Sequence, residues 1–143
     1  MDEHPASFLI GKISKIVKKV KPDIIIVPFK GDAHSDHRVA FDAVCASIKS
    51  FRCRFIKKVL IMEVLSETNF GNKKYVFYPD YFIDIGSFLK KKIEIMKIYE
   101  GEMAAHPFPR SEKAIESLAI LRGSQANCMH AEGFKVLKII ESA

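Results

Sequence analysis

A chain of 143 residues, 48% hydrophobic and 28% charged, has room for one domain with an ordinary core and is too apolar to stay disordered. No apolar run approaches the roughly 20 residues of a membrane-spanning helix, and the acidic start MDEHPASFLI lacks the apolar core and cleavage site of a secretory leader. The three cysteines, Cys45, Cys53 and Cys128, are scattered and odd in number, which points to reduced thiols in a cytoplasmic protein. The formal net charge of +6 sits largely in short lysine runs at expected helix ends and strand edges, without the spacing of a recognition helix or RNP motif. Nucleic acid is therefore not an expected partner, although attraction to an anionic small substrate fits.

In chain order, Leu9, Ile13, Ile16, Val17 and Val20 recur at helical spacing over 8–20, and Pro22 stops that helix. DIIIVPF follows as a strand whose four consecutive β-branched residues predict burial on both faces. KGDAHSD makes a loop. A second helix is predicted from about His37 through Ile48, with Asp36 placed to accept its free N–H groups as N-cap. KKVLIMEVL is a second buried strand, and SETNFGNKKYVFYPDYFIDIG reads as loop with one or two short strands. SFLKKKIEIMKIYEGEM predicts an amphipathic helix capped by Ser87. Beyond Pro107 and Pro109, the remainder predicts one or two helices interrupted near Gly123 or Gly133. Alternating helices and strands imply a mostly parallel sheet, yet only two firm strands can be counted against the five or six of a doubly wound domain.

Ligands in open parallel sheets gather beyond the carboxyl ends of the strands. The loop carrying His34, Asp36 and His37 leaves the end of DIIIV and so lies in that position. Imidazole is a common zinc ligand and a carboxylate can orient it. The same residues would equally make a polar turn in which Asp36 caps a helix and the histidines face water. Glu63, after the second strand, is either a site carboxylate or a partner for a neighbouring base. Arg122 in LRGSQ reads as an intramolecular anchor, and the Phe and Tyr cluster over 70–82 as packing.

KPDIIIVPFKGDAHSDHRVAFDAV resembles a segment of the LmbE-like zinc deacetylases, the family that includes the N-acetylglucosaminyl-phosphatidylinositol de-N-acetylases. The likeness continues through MEVLSETNFG, FYPDYFIDI, KKKIEIMKIYEGEM, HPFPRSEKAIESLAILRGSQ and HAEGFKVLK, covering the chain from about Ser7 onward. It implies a partial Rossmann-like, three-layer α/β fold with N-terminal strands missing. It also implies zinc-dependent removal of acetate from an N-acetylated amino sugar or glycoconjugate. His37 would be a zinc ligand, and His34 would stabilise the oxyanion. Asp36 would support them from behind or cap the helix. Arg110 in FPRS would either bind a substrate oxygen through its fork of donors or hold its own loop. His106, a lone histidine beside Pro107, is a candidate either for the cleft rim in contact with substrate or for a solvent-facing position. A bound zinc would polarise the amide and lower the pKa of a water.

The departure is at the front. The family carries an HPDDE-like motif after an early strand, which supplies the general base and the other two zinc ligands. Here the one His-Pro pair near the start, in EHPAS, is followed by Ala6 and Ser7 in place of aspartates. The whole of 1–143 is therefore expected to be a single C-terminal portion of the domain. It is expected to be inactive alone and completed by an N-terminal chain. A partner chain or a homo-oligomer would cover the apolar edge of its short sheet. The alternative is a non-catalytic remnant that binds a sugar or a partner protein.

Overall fold

The computed structural model describes residues 5–141. The His4 half of the His-Pro pair lies outside them. Pro5 occupies the N-cap position of α1 (Ala6–Val20), which ends at Lys21 in the left-handed region, φ 50°, its N–H donating to the Val17 carbonyl. Pro22 cannot continue the helix. Lys18 and Lys19 fall in its last turn, where cations meet the negative end of the dipole. Next come β1 (Ile24–Pro28), α2 (Ser35–Ser47), β2 (Lys58–Met62), β3 (Tyr81–Asp84), α3 (Leu89–Met96), α4 (Glu112–Ala126) and β4 (Ala131–Ile139).

The strands form an open four-stranded sheet in the order β1-β2-β4-β3. β1 and β2 are parallel, with Val27 opposite Ile61, but β2 and β4 are antiparallel, with a bulge between Val59 and Leu60. The sheet is thus mixed, where a mostly parallel one was expected. The cause is β4. AEGFKVLKI carries apolar residues at spacings that suit either a helix or a strand, and the free edge of β2 decides for the strand. The arrangement is that of a partial Rossmann-like α/β fold.

The chain divides into two compact units, one running to Tyr78 and resuming at Phe134, the other Pro79–Gly133. In the first, α1 packs on α2 and α2 on β1. Val17, Ile48, Cys53, Ile56 and Val59 form one core, and Val27, Phe29 and Ile61 another; Ile25 and Val44 pack against both. Ser47 ties the two helices by donating its hydroxyl to the carbonyls of Ala43 and Ile10. β1 is less enclosed than its composition predicts. Val27 is buried, but Ile24 and Ile26 are 47% and 50% exposed, because β1 ends the sheet among the described residues.

In the second unit α4 packs on α3 and β3. Ser111, buried, caps α4 by accepting from the Ala114 N–H. Gly123 does not interrupt this helix. A Cβ there would sit 2.6 Å from the Cys128 carbonyl oxygen, so the glycine lets the returning chain cross close. α3 is shorter than predicted, and Phe88, not Ser87, holds its N-cap position without a side-chain cap.

Leu60 is 2% exposed. Leu60→Ala is expected to cost about 2–5 kcal/mol in urea unfolding, whereas Ile26→Ala on the exposed strand should cost under about 1.5 kcal/mol. Equal losses at both positions would contradict this placement of the core.

Candidate active site

The loop between β1 and α2 is shaped by steric need before chemistry. Asp32 donates its backbone N–H to the Phe29 carbonyl at 3.1 Å, closing a turn. At Gly31 a Cβ would lie 2.4 Å from the Phe29 ring. Arg38, one turn into α2, reaches back and donates to the carbonyls of Asp32 and Ala33, at 3.1 and 2.8 Å. A cation is thereby committed to the loop's backbone, and the loop is held against the start of α2.

A second loop, after β2, closes over this one. Ala33 donates to the Glu67 carbonyl at 3.0 Å and Asn72 donates to the Gly31 carbonyl at 2.9 Å. A Cβ on Gly71 would stand 2.1 Å from the Gly31 oxygen, so only glycine allows the two backbones to come so near.

Between the loops lies Asp32, with no exposed surface. Its Oδ2 is 2.7 Å from His37 Nδ1, and its Oδ1 accepts from Thr68 Oγ1 at 2.7 Å. Among the described residues, no buried side-chain nitrogen or oxygen lacks a partner. A carboxylate can only accept, so His37 carries a proton on Nδ1. In the neutral ring its Nε2 then keeps a lone pair.

His34 is set the opposite way. It holds the N-cap position of α2, and its Nδ1 accepts from the Asp36 N–H at 3.1 Å. Its Nδ1 is therefore unprotonated, and its Nε2 bears the N–H. The two rings stack with centroids 5.4 Å apart and planes 22° from parallel. One turn of chain thus presents two neighbouring imidazoles, one able to donate and one able to accept or ligate. His37 is 26% exposed, and His34 is the more open of the two.

Of the residues singled out in the sequence, His34, Asp36 and His37 share this turn. Asp36 does not hold the N-cap position of α2. The cap is His34, and the carboxylate behind the His37 ring is Asp32. The helix starts at Ser35, two residues before the expected position, so Asp36 falls in its first turn, where an acid suits the dipole. Asp32 was legible only as the acid two residues before the first histidine. Thr68, 36 residues away, left no signal in the spacing.

Arg110 and His106 belong to the other unit. Arg110 donates through Nε to the Glu102 carbonyl at 2.8 Å and pairs through Nη2 with the Glu102 carboxylate at 3.0 Å. Most of its donor fork is thus engaged within the chain. His106 is exposed, follows Ala105 on the rim of a shallow cavity of about 410 Å³, and shares that rim with Lys97, Glu112 and Lys113. Arg122 donates to Gln125 at 2.9 Å. Burial pushes the Cys45 thiol up from its ordinary pKa, which keeps it protonated at neutral pH.

A catalytic zinc takes three protein ligands. Among the described residues no three His, Cys, Asp or Glu side chains converge on one point. The site offers one ligand nitrogen, on His37, backed by a carboxylate as metal-bound imidazoles commonly are. Among the described residues it offers no complete ligand set for the ion.

The fold has clear counterparts. No family model matches the sequence. The chain superposes with a TM-score of 0.68 on N,N'-diacetylchitobiose deacetylase from Pyrococcus horikoshii, at 18% identity, covering 94% of this chain and 53% of that one. It superposes with 0.72 on GalB, the 4-carboxy-2-hydroxymuconate hydratase from Pseudomonas putida, at 17% identity over 98% and 63%. The conserved protein TT1542 from Thermus thermophilus gives 0.70 at 15% identity over 94% and 60%. These likenesses show a shared fold. The chain spans 53–63% of the length of these three structures. No helix among the described residues is long and apolar enough to cross a membrane.

Because Gly71 is pressed on the Gly31 carbonyl, Gly71→Ala should part the two loops at a cost of about 1–3 kcal/mol. Hydrogen exchange at the Ala33 and Asn72 amides should then accelerate selectively. Unchanged protection at both amides would show that the loops are not clamped in this way.

Proposed function

We propose that this chain is the C-terminal portion of an LmbE-like, zinc-dependent N-deacetylase. Its substrate class is an N-acetylated amino sugar or its glycoconjugate. The reaction is hydrolysis of the amide: water adds to the carbonyl carbon, the C–N bond breaks, and acetate and the free amine result. The observation that carries the reading is the opposed pair of imidazoles behind β1, on a scaffold shared with a diacetylchitobiose deacetylase.

Each residue has a bounded part in it. His34 offers an Nε2–H, the group needed beside an amide oxygen that gains charge as it becomes tetrahedral. His37 offers a lone pair at Nε2 and is the zinc ligand this chain contributes. Asp32 holds the ring by accepting from its Nδ1–H. On this reading the general base and the other ligands come from outside the described residues.

A second reading has one observation behind it, the lack of three converging ligands among the described residues. On that reading the chain is a non-catalytic remnant that keeps the scaffold and binds a sugar or a partner protein. The hydratase among the structural counterparts makes an enol or alkene acid a necessary control substrate.

The chain alone, with zinc, is expected to release no acetate from N-acetylglucosamine derivatives. Mixed with a family-type N-terminal fragment and zinc it should release acetate, and chelation should abolish that. In the mixture His34→Ala should lower kcat about 10²–10³-fold, and His37→Ala should bring it to background. Full activity of His37→Ala would remove the ligand assignment. A mixture that stays inert with every fragment tried would favour the remnant.

A further inference from the structure

Along the sequence the cations fall in separate short runs, and the fold gathers three of these runs at one end of the first unit. α1 ends in Lys18, Lys19 and the cap residue Lys21, all exposed. Val17 in its last turn shares a core with Ile48, Cys53 and Ile56, which seats the end of α1 beside the segment 49–58. That segment carries Lys49, Arg52, Arg54, Lys57 and Lys58 and no acid. The Lys57 and Lys58 amides donate to the Asp23 carbonyl at 2.7 and 3.0 Å, at the start of β1. The third run is the end of β4, where Ile140 donates to the Lys57 carbonyl at 2.8 Å and Lys138 Nζ donates to Ser50 Oγ at 2.8 Å. Segments 18–24, 49–58 and 138–141 hold nine cations against two acids, Asp23 and Glu141, in a chain whose formal net charge is +6. The rest of the chain is therefore close to neutral, and the excess charge belongs to this pole. Apolar side chains stand among the cations. Phe51 is 69% exposed with the Arg52 guanidinium 5.2 Å from its ring centre, Val20 is 64% exposed, and Ile139 and Ile140 are exposed beside Lys138.

We propose that this pole is a docking surface for an anionic phospholipid bilayer, on which the chain lies as a peripheral protein. Anionic headgroups attract clustered lysines and arginines over about one Debye length, roughly 10 Å at about 0.1 M salt. Cations alone would suit any polyanion, and the apolar residues decide between them. Val20, Ile139 and Ile140 are aliphatic and have no ring to stack on a base, whereas all three, with Phe51, suit the boundary between headgroups and acyl chains. The alkyl stems of the surrounding lysines and arginines lie along such a boundary while their charged ends stay in water. A second copy of the chain is a poor occupant, because it would bring the same cations face to face. Topology agrees with the placement. β1 and β2 are parallel and both begin at this pole, so the histidine loop beyond β1 lies at the opposite end of the strands and faces away from the bilayer. The inference goes beyond the deacetylase reading and does not depend on it.

The test is co-sedimentation of the whole chain with large unilamellar vesicles at about 0.1 M and about 1 M salt. Vesicles of phosphatidylcholine mixed with phosphatidylglycerol should retain it at the lower salt and release it at the higher. Vesicles of phosphatidylcholine alone should not retain it. Arg52→Gln, Arg54→Gln and Lys57→Gln combined should weaken binding about 10²-fold, since each cation near an anionic surface contributes about a factor of five. Lys73→Gln, Lys74→Gln and Lys90→Gln combined remove the same charge from other elements and should change binding by under about three-fold. Phe51→Ser should weaken it about ten-fold. All seven side chains are exposed, so the variants should keep the unfolding midpoint of the wild type. No retention of the wild type by the anionic vesicles, equal retention by both kinds, or equal losses in the two triple variants overturns the proposal. A DNA duplex that strips the chain from anionic vesicles, and that Phe51→Ser binds as tightly as the wild type does, also overturns it and assigns the pole to nucleic acid.

Discussion

A carboxylate with no exposed surface is costly to bury unless each of its oxygens is satisfied. Asp32 meets that condition through two groups drawn from different parts of the chain, the hydroxyl of Thr68 and the imidazole of His37. Much else in the first unit follows from keeping them there. Gly31 and Gly71 are small so that two loops can touch. Arg38 is directed to the backbone carbonyls of Asp32 and Ala33. The loops are anchored by adjacent parallel strands in which Val27 faces Ile61.

The two histidines show how local geometry assigns chemistry to identical side chains. Both lie within one turn, but the backbone uses them differently. His34 at the helix start gives up the lone pair of Nδ1 to an amide that has no intrahelical partner. His37, three residues on, points its Nδ1 proton into the protein at Asp32. The outward nitrogens are consequently a donor and an acceptor. Such a pair suits a reaction in which a carbonyl oxygen gains charge while a second group needs a lone pair. The fold is shared with a deacetylase and a hydratase, and a fold by itself does not specify a reaction.

The second unit has its own internal logic. Ion pairs within it join Lys92 to Glu132, Lys97 to Glu112, and Arg110 to Glu102. The Arg110 pair explains why FPRS is a conspicuous sequence without being a ligand-binding one by necessity. Its arginine braces the turn that leads into the Ser111 cap of α4. Gly123 similarly marks a crossing of chains, not a helix end.

What the amino-acid order alone determined is the succession α1, β1, α2, β2 and the position of a polar, histidine-bearing loop at the end of β1. These follow from short-range regularities: apolar spacing near 3.6, a β-branched run, Pro22 as a stop. Tertiary structure decided the rest. It made AEGFKVLKI a strand, because the backbone of β2 offered hydrogen bonds that a helix of ambiguous pattern could not match. It also chose Asp32 over Asp36 as the partner of His37 and brought Thr68 to it across 36 positions. A neighbour in space leaves no trace in spacing along the chain, and a buried carboxylate takes its partners from whatever the fold brings within reach.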